Sequence, residues 1–290
     1  MIRLGSFSYA EIPTSNFTAI LGVTGTLETL SAPEKTVIEN VYRIKSQTII
    51  PSVYGRNNLR FDPKSNVCVS SEENHFQLIA REIQQKIVGQ NVGTKRAVFL
   101  FFESKQELEA FYQSDAFLPY KSEAHILTEE ANSHEKTYLI NSATTSGKIT
   151  LCTRTFGRGT DFIAHDQIVS ANGGVHVIQT FLSEEFSEEI QIRGRTARQG
   201  EDGSYSLIVN IKTLEKFLIF PEELQALNAN NLYAYLDQKR NDFFDKQYKE
   251  NTKYIDSIKE KHVRSNKFLE NIFKQNLNEV GFFYFIKPIM

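Results

Sequence analysis

The sequence predicts an α/β fold, a parallel β-sheet with helices on both faces, followed by a C-terminal α-helical region. Short apolar, β-prone runs alternate with helical patterns across residues 73–209, as happens when crossover helices cover both faces of a parallel sheet. The 290 residues are 40% hydrophobic and 12% aromatic, which is enough to bury a full core. The character of the chain shifts beyond residue 210, and residues 231–276 are rich in Lys, Asp, Glu and Gln, with aromatic residues at helical intervals.

The individual elements follow in chain order. Residues 17–23 are predicted to be a strand and residues 51–61 an extended segment. Residues 73–88 predict an amphipathic helix with Phe76, Ile79, Ile83 and Ile87 on one face. The remaining predicted strands are residues 97–102, 124–127, 148–153, 175–178 and 204–209, and the helices between them are residues 105–112, 133–141 and 188–197.

Charge, cysteines and the chain termini exclude several classes of protein. A net charge of −2 argues against a general nucleic-acid binder, because phosphate neutralisation needs a basic face. Cys68 and Cys152 have neither disulfide-framework nor metal-site spacing, so no metal is predicted. The first 20 residues lack the apolar core of a secretory signal, which predicts a cytoplasmic protein. The apolar residues 281–290 are too few to span a membrane; we expect them to dock on the domain, with interfacial membrane contact as the alternative.

The run QIRGRTARQG, residues 191–200, holds three arginines: Arg193, Arg195 and Arg198. Because an unpaired buried guanidinium is very costly, these side chains must meet water, carboxylates or phosphates. On a helix, Arg195 and Arg198 would project from one face, and a guanidinium fork matches phosphate oxygens well. The alternative is a basic turn that pairs with the acidic residues just upstream, Glu184, Glu185, Glu188 and Glu189.

A second motif, GRGTD, occupies residues 157–161. Its two glycines allow positive φ or close approach of the backbone to a ligand, and Asp161 can accept hydrogen bonds. The motif follows the predicted strand 148–153, so we expect it at the carboxyl edge of the sheet, where open α/β sheets bind ligands. For Asp161 the alternatives are a helix N-cap or an ion pair with one of the arginines in residues 191–200.

In their order and intervals these motifs resemble the SecA family of protein-translocation ATPases. VTGT (residues 23–26), GRGTD, GGVHVIQT (residues 173–180) and QIRGRTARQG are similar to successive SecA segments, and the similarity covers roughly residues 21–209. The resemblance implies that the fold is RecA-like, of the helicase C-terminal type. It also implies three parts: residues 1–50 as the end of a first motor domain with a linker, 51–215 as the second motor domain, and 216–290 as a scaffold-like helical region.

The resemblance further implies an ATP site. Arg195 and Arg198 would contact the β- and γ-phosphates as arginine fingers, which stabilise charge in the transition state. Nucleotide contact and domain closure would involve Arg158, Gly159, Asp161 and Gln191, and coupling to the rest of the motor would involve Thr24, Gly25 and Thr26.

The sequence contains neither a Walker A loop, G-x-x-x-x-G-K-[ST], nor an acidic Walker B. We therefore expect half of an ATPase, inactive by itself, with Mg held mainly by a first motor domain elsewhere. The implied partners are that domain, a polypeptide substrate and a membrane translocon, the last of which would place the protein at the membrane periphery. Two alternatives are a non-catalytic interaction module and an RNA-helicase-like C-terminal domain; the acidic balance argues against nucleic acid.

Overall fold

The computed structural model describes residues 7–9, 12–164 and 166–275 of the chain. These residues form two compact units. The sheet unit contains Gly25–Ser31 and Thr48–Phe243. The second unit contains the described residues of Met1–Thr24, Ala32–Gln47 and Phe244–Met290.

Within the described residues, seven strands form one wholly parallel sheet in the sheet unit. They are β1 (Asn58–Arg60), β2 (Val67–Ser70), β3 (Val98–Phe102), β4 (Ala124–Leu127), β5 (Ile149–Thr153), β6 (Val175–Gln179) and β7 (Asp202–Asn210). The order across the sheet is β1-β7-β6-β3-β5-β4. Strand β2 also pairs with β7, at residues 207–210, which follow the residues 202–204 that pair with β1. Strands β3, β5 and β6 are buried throughout, as expected when helices cover both faces.

The α-helices of the described residues are α1 (Ile12–Asn16), α2 (Ala32–Thr36), α3 (His75–Lys86), α4 (Lys105–Gln113), α5 (Ser133–Ala143), α6 (Gln167–Ala171), α7 (Phe186–Arg193), α8 (Pro221–Gln225) and α9 (Ala229–Phe273). Alternate residues of β3 point to opposite faces of the sheet. Leu100 packs in a core with Ile79 of α3 and Phe111 of α4, whereas Phe99 packs in a second core with Ile192 of α7 and Leu236 of α9. The sheet is therefore covered by helices on both sides.

The second unit is helical in its described residues. It contains α1, α2, a π-helical segment Val37–Val41 and the part of α9 that follows Phe243. The Phe7 ring makes edge-on contacts with Tyr9 and with His262 of α9, at centroid distances of 6.0 and 5.9 Å. The helical region expected beyond residue 210 is thus confirmed as far as the description extends.

The predicted parallel α/β fold is confirmed, and each strand predicted between residues 97 and 209 is present. The predicted strand at residues 17–23 is wrong: these residues have no strand partner, and Leu21 and Val23 are almost fully exposed. A β-prone run becomes a strand only where another strand can pair with it. Of the extended segment 51–61, β1 alone joins the sheet. Residues 276–290, including the apolar run 281–290, lie outside the described residues.

Candidate functional site

The motif QIRGRTARQG begins on a helix but does not remain helical. Helix α7 ends at Arg193, and the backbone N–H of Gly194 caps it by donating to the Ile190 carbonyl oxygen at 2.9 Å. Residues 195–200 form a turn, here called the arginine turn, in which Ala197 and Gln199 adopt positive φ of 52°. The predicted helix 188–197, with Arg195 and Arg198 on one helical face, is therefore wrong beyond Arg193, because a chain with positive φ leaves the right-handed helix.

The arginine turn is held against the first residues of two strands. The buried Thr196 hydroxyl donates to the Val175 carbonyl oxygen of β6 at 2.7 Å. A Cβ on Gly203 of β7 would lie 2.2 Å from Thr196 Oγ1 and 2.6 Å from the Ala197 nitrogen, so this close approach requires glycine. The sheet thus holds the turn, together with backbone hydrogen bonds from the Arg195 and Thr196 N–H groups to the Ile192 and Arg193 carbonyl oxygens at 3.0 and 3.3 Å.

Arg195 and Arg198, the two arginines of the turn, contact the GRGTD motif in one cleft. Arg195 donates from Nη1 to the Thr160 carbonyl oxygen and from Nε to the Gln191 carbonyl oxygen at 3.0 Å. Arg198 donates to the Asp161 carboxylate. Asp161, Arg195 and Arg198 all line this cleft, together with Phe162, Ile163, Ala164, Val175, Thr196, Ala197, Gln199, Glu201 and Asp202. The expected ion pair of Asp161 with one of these arginines is confirmed.

The cleft lies at the amino edge of the sheet, which corrects the expected location. Its lining includes Val175 and Asp202, the first residues of β6 and β7. GRGTD follows β5 in sequence, but the chain turns back along α7: a Cβ on Gly157 would lie 2.6 Å from Ile192 Cγ1. We expected the carboxyl edge because the motif directly follows β5 in sequence. The expectation is wrong because the chain reverses direction after β5.

The electrostatics of the cleft favour an anion. In the described residues, both hydrogen-bond acceptors of Arg195 are backbone carbonyls, which leave its positive charge without a carboxylate in contact. The pKa of Arg195 is lowered, mainly by burial and then by the charge of the neighbouring Arg198, whereas the charge of Asp161 raises it. The Arg198–Asp161 pair is partly exposed, with side-chain exposures of 38% and 59%, so it holds Arg198 weakly and can be exchanged for another anion.

The other motif residues have different positions. Arg158 pairs with Glu185 at 2.7 Å on the surface, and Gly159 has a φ of +67°, with no atom within 4 Å of the position that a Cβ would take. Gln191 contributes its backbone carbonyl, which holds Arg195. None of these three is among the residues that line the cleft within the described chain.

Arg193, the third arginine of the motif, is structural. It is 9% exposed, it pairs with Glu189, and its guanidinium lies 4.1 Å from the Phe61 ring centroid. The expectation that the acidic run pairs with this motif is met at Arg193 and not at Arg195 or Arg198. Other members of the run pair elsewhere: Glu188 contacts Arg154 and Glu184 contacts Lys216.

The VTGT segment divides between the two units, with Thr24 in the second unit and Gly25 and Thr26 in the sheet unit. The Thr26 carbonyl oxygen accepts hydrogen bonds from the backbone and hydroxyl of Thr29, at 3.1 and 2.8 Å. These bonds close a 3₁₀ turn, Leu27–Thr29, which lies against α7. The segment after VTGT therefore touches the helix that leads into the arginine turn.

Sequence reasoning missed the residues that support α7 from the other side. Arg240 of α9 is fully buried and donates to Glu189 of α7, and the Tyr233 hydroxyl donates to the same carboxylate at 2.8 Å. In sequence, Arg240 stands among charged residues typical of a solvated helix, and no local signal marks it as buried.

The described residues contain no group of three or more His, Cys, Asp or Glu side chains placed to hold a metal ion. In that same part of the chain, no helix is both long enough and apolar enough to cross a bilayer.

The strand order and the all-parallel sheet covered by helices on both sides are those of a RecA-like fold. No protein-family model matches the chain. Among solved structures, it is similar to Dbp5 of S. cerevisiae bound to RNA and ADP BeF3, with a TM-score of 0.45 and 15% identity over 78% of this chain and 53% of that one. It is also similar to domain 2 of the DEAD-box helicase Mss116p bound to an RNA duplex, with a TM-score of 0.40 and 17% identity over 56% and 60% of the two chains.

Curated sequences give a more specific result. Protein translocase subunit SecA 2 of Bacillus thuringiensis subsp. konkukian is 30% identical over 209 residues, which are 70% of this chain and 24% of that protein. Protein translocase subunit SecA of Chlamydia muridarum is 27% identical over 233 residues, 79% of this chain and 21% of that protein. The chain is thus SecA-like, which confirms the resemblance given by its motifs. It spans about a quarter or less of the length of these relatives.

Proposed function

We propose that this chain is the second RecA-like motor half of a SecA-type ATPase and binds ATP together with a first motor domain. The observation that carries the proposal is the convergence of Arg195 and Arg198 with Asp161 in one cleft. Similarity to SecA translocase subunits supports it independently.

The residues of the cleft fit a triphosphate. Arg195 presents a charge whose partners within the described residues are neutral carbonyls, so phosphate oxygens would supply the missing negative charge. Arg198 would exchange its partly exposed bond to Asp161 for a phosphate oxygen, leaving the carboxylate free to accept from a hydroxyl group. Bound ATP supplies the phosphoryl group to be transferred, and the two arginines would bind and orient it.

We assign supporting roles to the other residues that the motifs single out. Gln191 would hold Arg195 through its backbone carbonyl, and Arg158 and Gly159 would shape the loop that carries Asp161. Thr24, Gly25 and Thr26 would couple nucleotide binding to the rest of the motor, through the contact of Leu27–Thr29 with α7. The first motor domain would supply the Walker A and B residues and most of the Mg contacts, since the sequence has neither motif.

The work done with ATP would be movement of a polypeptide, with a membrane translocon as partner. The relatives carry the name of protein translocase subunits, and this extends to the present chain as a proposal. The division into residues 1–50, 51–215 and 216–290 is part of the same proposal.

Reconstitution of the two halves tests the proposal. The full chain is mixed with a recombinant first motor domain from a SecA protein, and ATP binding by calorimetry and steady-state ATP hydrolysis are measured for each half and for the mixture. We expect hydrolysis in the mixture alone. Arg195→Ala and Arg198→Ala should each reduce it by roughly 10³-fold, as loss of an arginine finger does. The control is Arg81→Ala, on the exposed side of α3.

Other outcomes favour the alternatives. If the mixture neither binds nor hydrolyses ATP, the proposed function is wrong and a non-catalytic interaction module becomes the better hypothesis. Salt-dependent binding of a fluorescent single-stranded RNA to the chain would favour the RNA-helicase-like alternative. Hydrolysis that is unchanged in both arginine variants would remove the finger assignment while keeping the motor.

A further inference from the structure

A buried polar cluster joins α7 to the first part of α9 inside the sheet unit. We call it the Glu189 cluster; its members are Glu189, Arg193, Tyr233, Asp237 and Arg240. Glu189 and Arg240 are fully buried. The Glu189 carboxylate accepts hydrogen bonds from Arg193, from the Tyr233 hydroxyl at 2.8 Å and from Arg240 at 2.5 Å, and Arg240 also donates to Asp237.

Aromatic rings contact both guanidinium groups of this cluster. The Arg193 guanidinium carbon lies 4.1 Å from the Phe61 centroid and 4.9 Å from the Tyr205 centroid. The Arg240 guanidinium carbon lies 5.0 Å from the Phe186 centroid, at the first residue of α7. Ring faces attract guanidinium groups and restrict their orientation. The rings therefore restrict the orientation of both guanidinium groups in the cluster.

The charges of the cluster hold each other in place. Burial raises the pKa of Glu189, but the charges of Arg240 and Arg193 outweigh it, so the pKa of the carboxyl is lowered overall. The pKa of Arg240 is raised, because Glu189 and Asp237 outweigh the opposing effect of burial. Glu189 is thus ionised and holds two fixed cations at neutral pH.

The position of the cluster on α7 links it to the cleft. Glu189 and Arg193 are one turn apart and form the last turn of α7, and the next residue but one is Arg195. Arg195 Nε donates to the carbonyl of Gln191, which lies within the same last turn. An eight-residue helix has few internal hydrogen bonds, so tertiary contacts determine where its end lies.

We propose that Arg240 is a positioning residue for the arginine turn. Its hydrogen bond to Glu189 fixes the last turn of α7, which includes the Gln191 carbonyl that orients Arg195 in the cleft. Stability alone does not account for such a cluster, because buried ion groups contribute little net stability compared with apolar side chains of the same size. A bonded carboxylate between two arginines does restrict the register of one helix against the other. The consequence for catalysis rests on the function proposed above; the positioning itself does not.

The test measures Arg195 directly in the isolated full chain. Hydrogen exchange of the Arg195 Nε–H is followed by ¹⁵N–¹H spectroscopy, with the signal assigned by its disappearance in Arg195→Lys. We compare the wild type with Arg240→Met, which fills the site without charge, and with Arg240→Lys, which keeps the charge but cannot bond Glu189 and Asp237 with one planar fork. Arg81→Met is the control, and thermal melting confirms which variants fold.

We expect exchange of the Arg195 Nε–H to accelerate about tenfold in both Arg240 variants, the equivalent of losing one ordinary hydrogen bond. If Arg240→Met does not fold, the Lys variant decides the matter. Unchanged exchange in the folded Arg240 variants overturns the proposal. In the reconstituted motor, kcat/KM for ATP should fall in parallel. A wild-type mixture without ATPase activity would refute the proposed function and leave the exchange result intact, so the two failures are distinguishable.

Discussion

Replacing Glu189 by Gln should destabilise the sheet unit more than most substitutions in it. The change keeps the size of the side chain but removes the negative charge that contacts both Arg193 and Arg240. It also turns one acceptor oxygen into an N–H donor that faces the donors of its former partners. The Arg240 side chain is fully buried and that of Arg193 is 11% exposed, so neither guanidinium group can gain much water in exchange.

The magnitude follows from the burial. Removing one partner of a buried ion pair costs about 3–5 kcal/mol, because the other charge stays buried without compensation. Asp237 still contacts Arg240, while Arg193 keeps the aromatic rings and the Tyr233 hydroxyl, so we place the loss within that range and not above it. For a domain of this size the melting temperature should fall by roughly 6–20 °C.

Urea denaturation followed by circular dichroism measures the free energy of unfolding of each variant. The matched control is Glu72→Gln, which breaks a 3.0 Å ion pair with Lys212 in which both side chains are 64% exposed. That pair should contribute about 0–1 kcal/mol. A loss for Glu189→Gln no larger than that of Glu72→Gln would refute the reasoning, since it would mean that the buried arginines do not need the carboxylate.

Two further predictions concern acid stability and close packing. Burial lowers the pKa of His75 and of His176 from 6.5 to about 4. Between these two pH values the unfolded chain binds more protons than the folded chain, so the free energy of unfolding decreases as the pH falls. Each histidine should lower the free energy of unfolding by about 2 kcal/mol between pH 7 and pH 5, which urea denaturation at the two pH values measures. His75→Gln should remove about half of this loss. A pH dependence that is unchanged in His75→Gln would contradict the prediction. Gly203→Ala should push Thr196 and the arginine turn off β7, with a loss of about 1–3 kcal/mol. Gly22→Ala, whose added Cβ meets no atom within 4 Å, is the control, and equal melting temperatures for the two variants would show that the turn is not held by this contact.

Much of the sheet could be predicted from sequence because burial acts on every residue of its central strands. The sequence of β3, VFLFF, is apolar along its whole length, and β5 is likewise buried throughout, which is typical of strands covered on both faces. The short β1 and β2 gave no such signal, because what makes them strands is their pairing with β7, more than 130 positions away. The same dependence on a partner explains why residues 17–23 were wrongly predicted as a strand.

For the cleft, residue type was more informative than residue spacing. The three-residue interval between Arg195 and Arg198 suggested one face of a helix, yet the helix ends at Arg193 and the two side chains meet through a turn. Their convergence with Asp161 was predicted from what guanidinium groups require, namely carboxylates or phosphates, and this requirement does not depend on the backbone conformation.

The three arginines of one ten-residue motif differ in the partners that the fold provides, and this difference is invisible in the sequence. Arg193 has a carboxylate and aromatic faces as partners and is 9% exposed, so little of it is open to a ligand. Arg195, two positions later, has carbonyl acceptors within the described residues and a lowered pKa. Glu189, the member of the acidic run nearest to the motif in sequence, is bound by Arg193 and by Arg240, which comes from 51 positions away. Arg240 thus supplies from α9 the second cation that Glu189 holds, whereas Arg195 has only carbonyl acceptors within the described residues and keeps a charge that an anion can meet.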